Sequence, residues 1–198
     1  MKKIILFFIC IFFLVGCEDV KNPIVTMEIK DYGTIEIELY PEYAPNTVAN
    51  FVNLVEDGFY DGNSFHRLMP KFVLQGGDPE GTGLGGPGYT INGEFAANGF
   101  RKNTLKHTTG IISMARNSIS YDSAGSQFFI VLSDAYSLSL DNNYAAFGKV
   151  TKGMDIIKQI EENEEVADEE TGKLKENIVI EKVTVETFGK EYKVKKNN

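Results

Sequence analysis

Two stretches of alternating apolar and polar residues constrain the fold of this chain more than any other feature. Apolar residues occupy every second position from Val25 to Ile29 and, after a turn at residues 31–33, again from Ile35 to Leu39. A period of two places successive side chains on opposite faces of a strand. The pattern therefore predicts a β-hairpin with one face against a core.

Beyond Pro45 the period changes, and the sequence predicts a helix. From Val48 to Val55 apolar residues recur at i, i+3, i+4 and i+7, which gives one apolar face at the pitch of an α-helix. Pro45 suits the first turn of this helix, and Gly58 ends it. A second helix is predicted around residues 153–163 from its apolar positions.

Short apolar runs between segments rich in Gly, Asn and Ser predict further strands. These runs are Phe72–Leu74, Ile111–Met114, Gln127–Leu132, Ala145–Val150 and Ile178–Val185. Many short strands and two helices in one domain are typical of a closed β-barrel with helices at its ends.

The N-terminus has the pattern of a cleaved leader. Lys2 and Lys3 precede an apolar run, Ile4–Val15, which is too short to span a membrane. The run ends in Leu14–Cys17, with sequence LVGC, which resembles a bacterial lipobox and predicts that Cys17 is lipidated. The alternative is an ordinary secretory signal with a chance cysteine.

These observations divide the chain into four parts. We expect a lipoprotein signal peptide at residues 1–16, a tether at residues 17–24, a folded domain at residues 25–188 and a basic tail at residues 189–198. The tail contains four lysines and is expected to be frayed. We expect the lipid on Cys17 to hold the domain at the extracytoplasmic face of a bacterial membrane.

Cysteine usage and charge narrow the possibilities further. Cys10 leaves with the leader and Cys17 carries lipid, so the mature chain has no thiol for a disulfide or a metal. The formal net charge is −8, and it becomes more negative when Lys2 and Lys3 are removed. An acidic chain is poorly suited to nucleic acid, whose phosphates attract Lys and Arg. We therefore expect no nucleic-acid partner.

The sequence disfavours two alternatives that rest on motifs. Residues 81–86 satisfy G-x-G-x-x-G, but Pro87 and Gly88 follow them instead of a helix, so a mobile loop is favoured over a dinucleotide site. The chain has two histidines, His66 and His107, and no mature cysteine, which is a poor supply of ligands for a zinc site. It also has no G-x-S-x-G motif, which disfavours a serine hydrolase. We therefore expect no metal and no cofactor.

Two motifs carry most of the functional information. Residues 65–78 read FHRLMPKFVLQGGD and residues 125–130 read GSQFFI, which place a permanent cation, aromatic rings and amides beside glycines. The two motifs resemble those of the cyclophilin family of peptidyl-prolyl isomerases. Further matches, in the family's order, are Lys106–His107, Gly110–Ala115 and Phe147–Val150. The resemblance extends from Val25 to Thr187.

The resemblance implies a mainly β fold, a closed eight-stranded antiparallel β-barrel capped by two α-helices. It also implies a site with residues in two roles. The residues matching the family's catalytic positions are Arg67, Phe72 and Gln75. The residues matching its substrate-binding positions are Val73, Ala115, Arg116, Gln127, Phe129, Leu140 and Tyr144. Ala115 and Arg116 are expected to offer backbone groups to the substrate.

The chain departs from the family pattern near the site. Many members carry a tryptophan just before the residue that matches Leu140, whereas this chain has no tryptophan and has Ser139 there. The segment between Phe129 and Leu140 is slightly longer than usual, and Val73 replaces a common methionine. These departures leave cyclosporin sensitivity and side-chain preference open, but they do not affect Arg67.

The implied activity is peptidyl-prolyl cis-trans isomerisation of proline-containing polypeptides, by a monomer that assists the folding of exported proteins. Rotation about an X-Pro bond breaks no covalent bond, so it requires no nucleophile. The alternative is a cyclophilin-like binding module or holdase that recognises proline segments without significant turnover. A substrate-binding lipoprotein for transport is disfavoured because the two-lobed α/β pattern is missing.

Overall fold

The computed structural model describes residues 21–197. The predicted signal peptide, Cys17 and the first half of the tether lie outside these residues, as does Asn198.

The described part of the chain is mainly β. Its strands are β1 Ile24–Ile29, β2 Gly33–Leu39, β3 Ser64–Met69, β4 Val73–Gly76, β5 Ile111–Met114, β6 Phe128–Val131, β7 Ala146–Lys152, β8 Val166–Asp168 and β9 Lys173–Glu186. Its α-helices are α1 Pro45–Glu56, α2 Ser137–Leu140 and α3 Met154–Asn163. Within residues 21–197 no helix combines the length and the apolar character needed to cross a bilayer.

Eight strands close into an antiparallel barrel. Their order is β1-β2-β7-β5-β6-β4-β3-β9, and β9 pairs with β1 to complete the circle. Val25 illustrates the closure, because it lies opposite Ile37 of β2 on one side and Val185 of β9 on the other. The short strand β8 adds to β9 outside the circle. The predicted eight-stranded barrel with helices α1 and α3 is confirmed, and the one-turn helix α2 is an addition that the sequence pattern did not predict.

Strand β3, which contains Arg67, was not predicted as a strand. Its residues from Ser64 to His66 are all buried, as is Leu68, so both faces of the strand are covered. A strand buried on both faces lacks the alternation that identifies a strand in sequence. The polar residues His66 and Arg67 further obscured the pattern.

Helix α1 covers the barrel interior through aromatic contacts. Phe51 packs against Tyr60, Phe128 of β6 and Phe147 of β7, with ring centroids 5.0, 5.6 and 5.2 Å apart. All four rings are fully buried. Aromatic pairs at these separations add to the free energy gained by burying apolar surface. Since β6 contributes Phe128 to this core and Phe129 to the other face, the core fixes the strand that carries Phe129.

The C-terminal segment, residues 190–197, lies along α1. Asn46 Nδ2 donates to the carbonyl of Lys195 at 3.0 Å, and the N–H of Lys195 donates back to Asn46 Oδ1 at 2.7 Å. Asn53 Nδ2 donates to the carbonyl of Tyr192 at 2.9 Å. The Tyr192 ring packs against the main core. The expectation of a frayed tail is therefore wrong, because polar and apolar contacts both hold this segment to the domain.

Both histidines are buried close to the strands that form the site. His66 lies beside Arg67 in β3, and neither of its ring nitrogens has a hydrogen-bond partner within residues 21–197. Burial lowers the pKa of His66; Arg67 lowers it further, while Asp78 opposes the shift. Burial also lowers the pKa of His107, despite the carboxylate of Asp141 beside it. Both imidazoles are therefore neutral near pH 7.

Replacement of Asn46 tests the docking of the tail. Asn46→Ala removes both hydrogen bonds to the Lys195 backbone, and we expect it to lower the free energy of unfolding by about 1–2 kcal/mol in urea titrations. The matched control is Lys195→Ala, which keeps the backbone groups that Asn46 contacts and is expected to leave stability unchanged. An unaltered urea midpoint in Asn46→Ala would show that the tail contributes no stability.

The buried histidines predict a pH dependence of stability. Because their pKa values are lowered in the folded state, the unfolded chain takes up protons below its ordinary pKa of about 6.5 while the folded chain does not. The free energy of unfolding that comes from keeping both histidines neutral is fully present above about pH 6.5. It decreases as the pH falls toward the folded pKa values, by at most about 1.4 kcal/mol per histidine per pH unit. Urea midpoints measured across this window should fall with pH, and less steeply in His66→Gln.

Candidate functional site

A cavity of about 250 Å³ lies on the outer face of the barrel at β3, β4 and β6, and we call it the Arg67 cavity. Its lining residues are Arg67, Phe72, Val73, Gln75, Ala115, Arg116, Phe129 and Tyr144. Eight of the ten residues proposed for the site from the sequence thus line one cavity. Of the other two, Gln127 hydrogen-bonds to Gln75 at the cavity edge, and Leu140 packs behind Val73 and Phe129.

The cation of this cavity is held by neutral groups. Arg67 Nε donates to the backbone carbonyl of Thr171 at 2.7 Å, and Nη1 donates to Gln75 Oε1 at 3.2 Å. No ion pair among residues 21–197 involves Arg67. Burial lowers the pKa of Arg67, and Tyr144 opposes this shift, but a guanidinium remains charged at neutral pH. The cavity therefore contains a fixed positive charge that no carboxylate neutralises.

Two glutamines continue the hydrogen bonds from Arg67 along the wall. Gln75 Nε2 donates to Gln127 Oε1 at 3.0 Å, and Gln127 Nε2 donates to the carbonyl of Gly85 at 2.9 Å. Each amide accepts or donates through a defined atom, so the orientation of one determines that of the next. Hydrogen bonds through Gln75 and Gln127 therefore connect Arg67 to the glycine-rich loop at residues 81–86.

Asp78 in turn holds that loop in shape. Its carboxylate accepts hydrogen bonds from the backbone N–H groups of Glu80 at 2.8 Å, Thr82 at 2.9 Å and Gly83 at 2.5 Å. Burial alone would raise the pKa of Asp78, but these backbone donors lower it overall. Asp78 is the last residue of the motif at residues 65–78, and the sequence alone indicates no role for it.

The apolar side of the cavity is built on Phe129. The Tyr144 ring meets it edge-on with centroids 5.5 Å apart, and the His107 ring stacks on it at 6.1 Å. Phe72 lies at the mouth, where its ring is 5.0 Å from that of Tyr136. The resulting slot offers aromatic and aliphatic surface to a small apolar ring.

His107 acts as a structural brace beneath Phe129. Its Nδ1 and backbone N–H both hydrogen-bond with Asp141 Oδ1, at 3.1 and 2.9 Å, and its Nε2 hydrogen-bonds with Ser113 Oγ at 3.0 Å. Ser113 of β5 lies opposite Phe129 in the sheet. The brace therefore joins β5 to the segment that carries Leu140.

Arg116 contributes its side chain as well as its backbone. Its guanidinium lies over the rings of Tyr144, Tyr121 and Phe95, at 4.7, 4.9 and 5.6 Å from their centroids. Its Nε donates to the carbonyl of Asn143 at 3.1 Å. These contacts hold a second cation at the rim of the Arg67 cavity.

A second, larger cavity of about 640 Å³ adjoins the first. The two share Gln75, Ala115 and Arg116, and the glycine-rich loop forms the far wall. Ile91 follows the loop with an isolated bridge to Ala124 and no helix, so residues 81–86 form part of a groove wall. Because they share these lining residues, the two cavities form one continuous groove.

Several residues that shape the site were not identified from the sequence. The carbonyl of Thr171 orients Arg67 from a turn more than a hundred residues away, and no sequence signal marks a backbone acceptor. Asp78 and His107 lie inside motifs that resemble those of the family, but only the structure shows which groups they contact. Within residues 21–197 no group of three or more His, Cys, Asp or Glu side chains could hold a metal ion.

Comparison with known sequences matches this chain to peptidyl-prolyl cis-trans isomerases. The family model described as cyclophilin type peptidyl-prolyl cis-trans isomerase/CLD matches residues 24–185. Peptidyl-prolyl cis-trans isomerase B of Bacillus subtilis is 48% identical over 132 residues, which cover 67% of this chain and 86% of that protein. A peptidyl-prolyl cis-trans isomerase of Helicobacter pylori is 40% identical over 159 residues, covering 72% of this chain and 92% of that protein.

Comparison with solved structures gives the same family. A crystal structure of a cyclophilin type peptidyl-prolyl cis-trans isomerase from Cryptosporidium parvum, obtained in the presence of the dipeptide Ala-Pro, matches with a TM-score of 0.71 at 31% identity. The match covers 82% of this chain and 98% of that one. Since the family match also extends from the first strand of the barrel to the last, this chain belongs to the family of cyclophilin-type peptidyl-prolyl cis-trans isomerases.

Proposed function

We propose that this peptidyl-prolyl cis-trans isomerase catalyses the cis-trans isomerisation of X-Pro bonds in the Arg67 cavity. We also propose that its clients are exported proteins at the outer face of a bacterial membrane. The observation that carries the catalytic part is the position of Arg67. Its guanidinium lines an apolar slot and is held there by Thr171 and Gln75 without a neutralising carboxylate.

The chemistry follows from the electronic structure of the imide bond. Amide resonance gives the C–N bond partial double-bond character and a barrier of ~18–20 kcal/mol. In the twisted transition state the nitrogen regains its lone pair. A guanidinium close to that nitrogen, or to the prolyl carbonyl oxygen, stabilises the twisted form more than either planar form, and such differential binding accelerates a reaction.

The apolar surface supplies the other half of the mechanism. We expect the proline ring to lie against Phe129, between Phe72 and Val73, because these side chains form the apolar part of the cavity. With the ring held, rotation moves the residue before proline. We expect Gln75 and Gln127 to hydrogen-bond to the backbone of the client, and Ala115 and Arg116 to offer backbone groups beside them, because all four line the groove.

Replacement of Arg67 tests the catalytic role. We expect Arg67→Ala to lower kcat/KM for an X-Pro tetrapeptide by about 10²–10³, the usual effect of removing one preorganised donor. The urea midpoint should remain close to that of the wild type. The matched control is Lys71→Ala, which removes an exposed cation from the turn between β3 and β4. Equal rates in Arg67→Ala and wild type would favour the alternative, a proline-segment binding module or holdase.

The membrane location is proposed from the sequence of the leader. Lys2 and Lys3, the apolar run Ile4–Val15 and the lipobox-like Leu14–Cys17 support export and lipidation at Cys17. The first described residue, Lys21, lies three residues before β1, so a lipid on Cys17 would leave a short tether to the barrel. A domain held in this way would meet exported chains as they emerge unfolded.

Metabolic labelling tests the anchor. We expect radiolabelled palmitate to be incorporated into the full-length chain expressed in bacteria and to be absent from Cys17→Ser. The membrane fraction should contain the wild type, and the soluble fraction should contain the variant. Cys10→Ser is the matched control, because it changes a cysteine of the leader upstream of the proposed cleavage site. Equal labelling of wild type and Cys17→Ser would contradict the lipoprotein proposal.

A further inference from the structure

The exposed apolar side chains of this domain are not scattered. Within residues 21–197 the exposed large apolar or aromatic side chains are Leu84, Ile119, Tyr121, Tyr136, Leu138 and Phe188. All except Phe188 lie on three loops beside the substrate groove. Single exposed apolar residues are ordinary on protein surfaces, whereas a group around one groove marks an interaction site.

Two of the three loops border the larger cavity. Leu84 is 90% exposed at the tip of the glycine-rich loop and lines this cavity. Ile119 is 94% exposed in the loop between Asn117 and Ser123, both of which line the same cavity. Each loop is fixed at its base by hydrogen bonds, Ile119 through its N–H to Asn117 Oδ1 at 3.0 Å. The two side chains are therefore presented to solvent by ordered backbone.

The third loop lies beside the Arg67 cavity, on the side of Phe72. The Tyr136 ring packs against Phe72 in a tilted arrangement, and Leu138 follows in helix α2 with 92% of its side chain exposed. The next apolar residue, Leu140, turns inward and packs with Val73 and Phe129. Helix α2 thus places one leucine under the cavity and the other in solvent beside it. Apolar surface is available next to both cavities of the groove.

We propose that these three loops form an apolar rim that binds unfolded client chains carrying large apolar residues on both sides of the proline. The proposal rests on the isomerase function proposed above and names its substrate class. The argument is continuity: the rim borders a groove that already receives a polypeptide, so a chain leaving the Arg67 cavity in either direction passes over apolar side chains. Such residues are exposed in unfolded proteins and buried in folded ones.

The experiment uses residues 18–198, which include the barrel, the groove and the C-terminal segment, and the double variant Ile119→Ser, Leu138→Ser. Neither residue lines the Arg67 cavity or the larger cavity, so we expect turnover of an X-Pro tetrapeptide to equal that of the wild type. For a reduced, carboxymethylated protein that stays unfolded, we expect affinity measured by fluorescence anisotropy to fall about tenfold. In proline-limited refolding of a protein client, KM should rise while kcat is unchanged.

The matched control is Phe188→Ser, which removes an exposed aromatic ring that lies near Lys21 and away from the groove. It should leave both readouts unchanged. Unaltered affinity of the double variant for the unfolded chain, or an equal loss in Phe188→Ser, would overturn the proposal. So would wild-type self-association in sedimentation experiments that the double variant abolishes, since the rim would then bind a second copy. Failure of the isomerase function would appear separately, as absent tetrapeptide turnover in the wild type.

Discussion

The site depends on one interaction, a partly buried guanidinium that is hydrogen-bonded only to neutral groups. Burial makes the charge of Arg67 less favourable, as the lowered pKa shows, and the carbonyl of Thr171 and the amide of Gln75 offset part of this cost. A carboxylate partner would stabilise Arg67 further, but it would also weaken the positive potential on which the proposed catalysis depends. Neutral partners fix the position of the cation and leave its charge available to the substrate.

Barrel closure is what brings these partners together. Strand β3 pairs with β4 on one side and with β9 on the other, and in this register Arg67 lies opposite both Gln75 and Lys173. Thr171 comes two residues before Lys173, in the turn that leads into β9, so the same pairing delivers its carbonyl to Arg67. The main elements of the site are therefore held by sheet hydrogen bonds, and the glycine-rich loop is joined to them through Gln127.

Periodicity predicted the elements that have one buried face. The hairpin of β1 and β2 and the helices α1 and α3 alternate or repeat at the expected spacing, and the structure has them at nearly the predicted bounds. Strand β3 is covered on both faces and left no such signal, although its motif pointed to the site. The docking of residues 190–197 depends on amides of α1 distant in sequence, which no local pattern reveals. The sequence thus predicted helices and strands with one buried face, but it did not predict hydrogen bonds between residues distant in sequence.

The strands carry most of the residues proposed for catalysis, whereas the loops around them carry the residues proposed to select clients. A cavity that binds only the proline ring, as proposed for the Arg67 cavity, would accept the same ring from every client, so it could not by itself distinguish one polypeptide from another. Discrimination must come from surfaces that the residues around proline reach. In this domain those surfaces are loops, and α2, the helix that the sequence pattern did not predict, presents Leu138 there. Because Ile119 and Leu138 lie outside the barrel's hydrogen-bond ladder and line neither cavity, they can change without moving Arg67.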